Sequence, residues 1–375
     1  MSFYKIDRRK DGKQGYRVFV SFTNTDGKRI TKTKCVYGLQ EAKETERDLS
    51  EDIKTASSSI TVEQLYKEYV KSKRHEVRNS SLAKSESVLL NHVLNTDLAK
   101  RRLDKLSKKH LQDWKNVIAE KKIKTSTKNG AYKELNTLLN YAVSHDYLIK
   151  NPLREIGRFR DPYFKADEEK VKYYTIEEFN RYIKAAKDSI ETQLDYACYV
   201  FFYILFYSGL RKGELNALLW SDFDGDTLNI TKSLAQKVGY EITPPKNKPS
   251  YRRVKLPPKA IKVLDDYRVF LKKNSRYRED MWLCGGFKPI PDSTIENRNK
   301  YFAKVAGLPH RCIHDFRHSH ATLLINKGVN IVAVSRRLGH SDVKMTLNTY
   351  AHLYPTSDDE VVNALETAGK SVKKL

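Results

Sequence analysis

The stretch "YVFFYILFYSGLRKGELNALLW", Tyr199 to Trp220, decides the fold. From Tyr199 to Leu210 it is apolar all round, as a helix enclosed on every side must be, so a whole domain has to be built around it. At its end Arg211 and Glu214 stand three apart, close enough for the carboxylate to orient the guanidinium. Upstream, Thr175 and Glu178 have the spacing of a capping box that opens this domain. Downstream, "DTLNITKS" and "YRRVKLP" read as strands flanking a basic, Pro-containing excursion, and the chain from Ser293 onward reads as mainly helical.

Working outward toward the N-terminus, Ile60 to about Leu153 is wholly helical in pattern. Thr61 and Gln64 form a capping box, and four apolar stripes predict a four-helix domain over residues 59–153. Basic clusters lie between the stripes at Lys71–Arg78, Lys100–Lys109 and Lys121–Lys128. In the last, Lys122, Lys124 and Lys128 are interleaved with Thr125 and Ser126, a composition suited to phosphate contact. Residues 1–54 have a strand rhythm, with Tyr16, Val18, Val20 and Phe22 alternating with Arg17, Phe19 and Ser21. "NTDG" supplies a hairpin turn, and "GLQEAKETERDLSEDI" reads as a helix. The returning strand carries Lys28, Arg29, Lys32 and Lys34, so the module reads as having a basic face, and Arg17, Arg29, Lys32 and Lys34 are its candidates for DNA contact. "TASSS" at Thr55–Ser59 and residues 154–171 read as linkers. The fold class is therefore multidomain, mainly α with α+β parts, the catalytic candidate occupying residues 172–375.

Composition narrows the partner. Seventy Lys and Arg against 46 Asp and Glu leave a net charge of +24, which attracts polyanions, nucleic acid first among them. The absence of a long apolar run and of a signal-peptide core predicts no membrane association and a cytoplasmic location. Four scattered cysteines, with no CxxC pairing, predict reduced and mostly buried thiols rather than a zinc site or disulfides.

Four polar clusters stand out in the last domain. They are the Arg211/Glu214 pair; Lys246 to Ser250, read as the tip of a hairpin; "HDFRHSHAT", with His314 and Arg317 on one helix face; and "LGHSDVKMTLNTYAH", where Gly339 closes a helix, His340 follows and Tyr350 lies in or beside the next helix. Singly, each has a bland explanation as an ion pair, a solvated loop, a surface pair or one aromatic among 23 tyrosines. Together they supply the parts for attack on a phosphodiester. Two arginines clamp the phosphate oxygens, histidines donate hydrogen bonds and assist proton movement, a lysine protonates the leaving oxygen, and cations favour the phenolate of a nucleophilic tyrosine. That chemistry calls for neither a metal nor ATP, so no cofactor is predicted.

In this order, and with the motifs "GLRKGE", "HDFRHSHAT" and "LGHSDVKMTLNTYAH", the chain resembles the tyrosine recombinases, or phage-type integrases, most of all those of conjugative transposons and temperate phages. The resemblance implies an arm-binding-like module, a core-binding domain and a catalytic domain. It implies catalytic roles for Arg211, Lys246, His314, Arg317, His340 and Tyr350, with support from Glu214; for the lysine, Lys248 stays open beside Lys246. It further implies double-stranded DNA as substrate, a 3′-phosphotyrosyl intermediate, integration and excision of a mobile element in the nucleoid of a bacterium, and a homotetramer on two duplexes. An excisionase or a host DNA-bending protein is a further partner. The tail, with Val361, Val362 and Leu365 on one face, reads as a helix packing in cis or exchanged between protomers. A type IB topoisomerase and a noncatalytic DNA-binding regulator are the alternatives.

Overall fold

The N-terminal alternation forms three antiparallel strands in order, β1 (Phe3–Lys10), β2 (Lys13–Thr23) and β3 (Arg29–Tyr37), followed by α1 (Leu39–Thr55). Tyr16, Val18, Val36 and Ala42 make their small core. Gly15 is required by a close approach, since a Cβ there would stand 2.6 Å from the Arg8 carbonyl oxygen. The register corrects the expectation of one basic face. Lys34 and Lys32 pair with Val18 and Val20 and share the side of the buried Val18, whereas Arg17 pairs with Cys35 on the opposite side, and Arg29 pairs with Thr23. Side chains alternate with a period of two, so cations at odd and even register positions cannot share a face.

Four helices follow: α2 (Val62–Lys73), α3 (Asn79–Leu89), α4 (Lys108–Glu120) and α5 (Thr125–Ser144). Thr61 and Gln64 form the expected reciprocal cap, at 3.2 and 2.8 Å. Leu65, Leu89, Leu111, Trp114, Leu135 and Leu138 interdigitate in the core, and the Trp114 indole donates to the His92 carbonyl at 2.7 Å. The chain after α5 does not leave at once. Leu153 and Phe159 are buried on the same core, and the Lys115 ammonium donates to the carbonyls of Ile156 and Gly157 at 3.2 and 3.1 Å.

The first helix of the second unit is α6 (Ile176–Asp188), capped by Thr175 with Glu178. Its centre is α7 (Gln193–Ser208), buried along nearly all its length, with Phe206 stacked on Phe179 at 3.7 Å between centroids and Phe202 against Phe316. The expectation of an enclosed apolar helix is met. A short α8 (Lys212–Leu215) leads to a sheet of β4 (Phe223–Asp224), β5 (Thr227–Ile230) and β8 (Arg252–Lys255), with a hairpin of β6 (Ser233–Ala235) and β7 (Glu241–Thr243) between β5 and β8. The remainder is α9 (Pro258–Asn274), α10 (Asp292–Val305), α11 (Ile313–Asn326), α12 (Ile331–Leu338) and α13 (Val343–Tyr350). The expected hairpin tip at Lys246–Ser250 falls partly outside the described residues; the described β6–β7 hairpin turns between Ala235 and Glu241. Pro244 and Pro245 have no N–H to donate and end β7, and Lys248–Ser250 makes a single 3-10 turn on the way to β8.

The computed structural model describes residues 3–23, 29–55, 60–161, 171–236, 239–245, 248–274 and 277–351, in two compact units, 1–165 and 166–375. The Asn24–Gly27 turn, Ala56–Ser59, Lys246, Asn247 and the tail helix lie outside the described residues. The mainly helical architecture with small antiparallel sheets is the one the sequence predicts. Of the thiols, Cys198 and Cys284 are buried but Cys35 and Cys312 are exposed, which corrects the expectation that most would be hidden. No described helix is long and apolar enough to cross a membrane.

Candidate active site

Arg211 follows the left-handed Gly209 that ends α7. Its guanidinium donates to Glu214 Oε1 at 2.8 Å and its backbone N–H to Oε2 at 2.9 Å, so the pair three apart is real. A second arginine shares the carboxylate. Arg252, from β8, donates to Glu214 Oε2 at 2.9 Å and to the carbonyls of Arg337 and Ser250 at 2.8 and 3.2 Å. Gly339 allows that approach, because at φ 69° it ends α12 and a Cβ there would meet Arg252 Nη1 at 2.9 Å. Burial alone would raise the Glu214 carboxyl, yet Arg252 and Arg211 overcome it and hold the group below the usual range. Glu214→Ala would leave Arg252 buried without its counter-ion. Chemical denaturation should register a loss of roughly 3–5 kcal/mol, and a loss under 1 kcal/mol would contradict the pairing.

Arg317, in α11, is 2% exposed. It donates to the carbonyls of Gly209 at 2.9 Å and Leu338 at 2.7 Å, joining the C-terminal ends of α7 and α12, where helix dipoles favour a cation. Burial, then Arg211, push its guanidinium down to about 9, against the pull of Glu214. Three guanidinium groups thus gather around one carboxylate, leaving the site short of negative charge.

The histidines surround this cluster. His340 shares a hydrogen bond between Nδ1 and Thr346 Oγ1, 2.7 Å apart, and its imidazole is lowered to about 4 by burial and by Arg317 and Arg211. His314 is lowered to about 4 by burial, His318 and Arg317, although it sits at the exposed end of the cluster, where solvent tempers that shift. Tyr350 ends α13 with only 1% exposure, packed with Ala321, Ile325, Val334 and Leu338. Its hydroxyl lies 2.6 Å from Nδ1 of His318. Burial raises the Tyr350 phenol well above its usual value, and Arg317 only partly opposes this. Arg317 favours the phenolate, as expected of a cation, but desolvation of the charged form outweighs it, and Tyr350 is a neutral phenol in the DNA-free chain.

Sequence reading missed His318, Arg252, His320 and Arg337. His318 lies one turn after His314, on the same helix face, and that spacing was the available signal. His320 is held between two partners. Its Nδ1–H donates to the Phe206 carbonyl at 2.8 Å, and its Nε2 accepts from Arg337 Nε at 3.0 Å. Both nitrogens are committed to the neutral ring, and burial with Arg337 pushes it to about 3. The unfolded value is about 6.5, so the folded state binds fewer protons below it. Stability from this group is present above about pH 6.5 and lost progressively as pH falls toward 3. Thermal melts of His320→Gln should start lower at pH 7 and decline less between pH 7 and 4 than those of the parent; parallel declines would contradict it.

Of the remaining predicted residues, Lys122 and Lys124 are exposed just before α5 and Ser126 is exposed in its first turn. Thr125 Oγ1 donates to Asp161 at 3.5 Å, and Lys128 reaches back to the Ala119 carbonyl. Lys246 lies outside the described residues. Of Lys248, only the backbone turn is described.

The chain matches the family model described as Phage integrase family over residues 172–357 and that of the Phage integrase, N-terminal SAM-like domain over 61–118. Among curated proteins it is similar to the ICEBs1 integrase of Bacillus subtilis, 27% identical with 96% of this chain and 99% of the relative covered. It is also similar to a XerC-like tyrosine recombinase of Caldanaerobacter subterraneus, 29% identical with 96% of each chain covered. Among solved structures, the Tn1549 transposon integrase in complex with transposon right end DNA superposes with a TM-score of 0.65, covering 82% of this chain and 99% of that one at 22% identity, a likeness of fold. Two integrase-family matches, one over the first helices of the bundle and one over the arginine- and histidine-lined domain, with similarity along nearly the whole chain, have one meaning: this chain belongs to the phage integrase family, the tyrosine recombinases, enzymes that cleave and rejoin DNA strands.

Proposed function

We propose that the chain is a site-specific DNA integrase that moves a mobile element, of the conjugative-transposon kind, through a covalent 3′-phosphotyrosyl intermediate at Tyr350. The observation that carries this reading is the cluster of three arginines around one carboxylate, with Arg317 within electrostatic reach of Tyr350, which leaves positive charge for a phosphodiester to meet. Arg211 and Arg317 clamp the nonbridging oxygens and stabilise the charge that grows in the five-coordinate transition state. His314 and His340, neutral in the DNA-free chain, hydrogen-bond the same oxygens. Tyr350 attacks phosphorus, the 5′-oxygen leaves with a proton from Lys246, and the 5′-hydroxyl of a partner strand reverses the step.

Double-stranded DNA binds through backbone contacts, which the net charge of +24 favours. The exposed lysines and hydroxyls that open α5 suit phosphates, and the N-terminal sheet, with Arg17, Arg29, Lys32 and Lys34, serves as a second DNA-binding module. A homotetramer on two duplexes in the bacterial cytoplasm and nucleoid, aided by an excisionase or a host DNA-bending protein, completes the reading.

The test is incubation with a nicked suicide duplex spanning the joined element ends, followed by assay of strand exchange between two duplexes. Covalent attachment with exchange supports integration. Attachment with relaxation of supercoils but no exchange would support a topoisomerase, and tight binding without attachment a regulator. The lysine has its own check. A 5′-bridging phosphorothiolate leaves without a proton, so it should restore cleavage to Lys246→Ala; rescue of Lys248→Ala alone would move the role to that residue.

A further inference from the structure

Catalysis by a buried tyrosine requires somewhere for its proton to go, and neither His314 nor His340 makes the contact. His318 does, its Nδ1 lying 2.6 Å from the Tyr350 hydroxyl and the two rings meeting edge-on at 5.7 Å. Resting on the integrase reading above, we propose that His318 is a further catalytic residue, the general base that takes the phenolic proton of Tyr350 as the tyrosyl oxygen bonds to phosphorus.

The step balances. The O–H bond of Tyr350 breaks, its electron pair forms the O–P bond, and the proton moves to the Nδ1 lone pair of His318. The 5′-oxygen departs with the P–O bonding pair and a proton from the general acid. In the return step the incoming 5′-hydroxyl gives its proton back to the general acid, deprotonated in the first step, as its oxygen bonds to phosphorus, and His318 returns the other proton to the phenol as the O–P bond breaks.

The surroundings suit that role. The donor is buried at the end of α13, and the acceptor is half-buried one turn past His314 in α11, whose ring stands edge-on to His318 at 4.9 Å. The charged and titratable groups around His318 are Asp315, Arg317 and His314 on α11 and Tyr350 on α13. Burial and Arg317 lower its imidazole while Asp315 raises it, with a net lowering, so the ring is neutral and its lone pair is free to accept. A neutral phenol beside a neutral imidazole is a resting pair. Proton transfer becomes favourable when a phosphate brings negative charge to the arginines and the phenolic oxygen begins to bond.

The full chain with the nicked suicide duplex tests this in single turnover. His318→Asn keeps a hydrogen-bond acceptor near the position of Nδ1 but cannot take a proton. It should melt and bind DNA like the parent, cleave roughly a hundredfold more slowly at pH 7, and gain rate about tenfold per pH unit through the alkaline range, as the buried phenol titrates above its usual value. Replacing Tyr350 with 3,5-difluorotyrosine, a more acidic phenol, should recover most of the loss in His318→Asn but not in Arg317→Lys. Parental cleavage by His318→Asn would overturn the proposal, as would a loss with an unaltered pH profile and no recovery on fluorination, the signature of a positioning residue. Failure of the underlying reading looks different. It would appear as an adduct that survives Tyr350→Phe, or as no adduct in the parent, whatever stands at 318.

Discussion

Tyr350→Phe should abolish covalent attachment to a nicked duplex while leaving specific DNA binding near that of the parent. Only the nucleophilic oxygen is removed, and the ring keeps its place against Ala321, Ile325, Val334 and Leu338. The variant also loses the 2.6 Å contact with His318, so a melt should detect a loss of about 1 kcal/mol. That is small beside the chemical effect. Gel-shift and denaturing-gel assays on the same preparation separate binding from attachment, and adducts formed at a parental rate would remove Tyr350 from the mechanism.

Arg317→Ala should have the second largest effect, and on two readouts at once. Cleavage should fall roughly a hundredfold or more, since a transition-state contact of the oxyanion-stabilising kind is lost. Stability should fall as well, by about 1–3 kcal/mol for each buried carbonyl left without its donor, because the guanidinium joins Gly209 and Leu338. Arg211→Ala gives the contrast. Its side chain is 38% exposed and makes no such bridge, so cleavage should drop comparably with a smaller change in melting. Normal single-turnover cleavage by Arg317→Ala that still folds would exclude it as a clamp.

Much of this was legible in the sequence because it rests on local rules. The caps at Thr61 and Thr175, the enclosed helix ending at Gly209, the Arg211/Glu214 spacing and the left-handed Gly339 are each set by residues within a turn of one another. What was missed depends on contacts between distant segments. Arg252 stands on a strand where nothing local distinguishes it from Arg253, and only folding brings it to Glu214, 38 residues away in the chain. The neutral state of Tyr350 escaped for the same reason: the cations are visible in the sequence, but the burial that outweighs them is a property of the packed helices. In the N-terminal sheet, the split of its cations between two faces follows from the pairing register of β2 and β3, which a list of basic residues does not reveal.

The most direct measurement is to digest the trapped protein–DNA complex with trypsin and locate the nucleotide by fragmentation mass spectrometry. Cleavage after Lys344 and Lys370 yields one peptide that contains both Tyr350 and Tyr354, so fragment ions between the two tyrosines decide the assignment. A phosphonucleotide on Tyr350, with Tyr354 unmodified, is the expected result. The same mass added at Tyr354, or at any residue outside this peptide, would contradict the assignment of Tyr350 as the nucleophile.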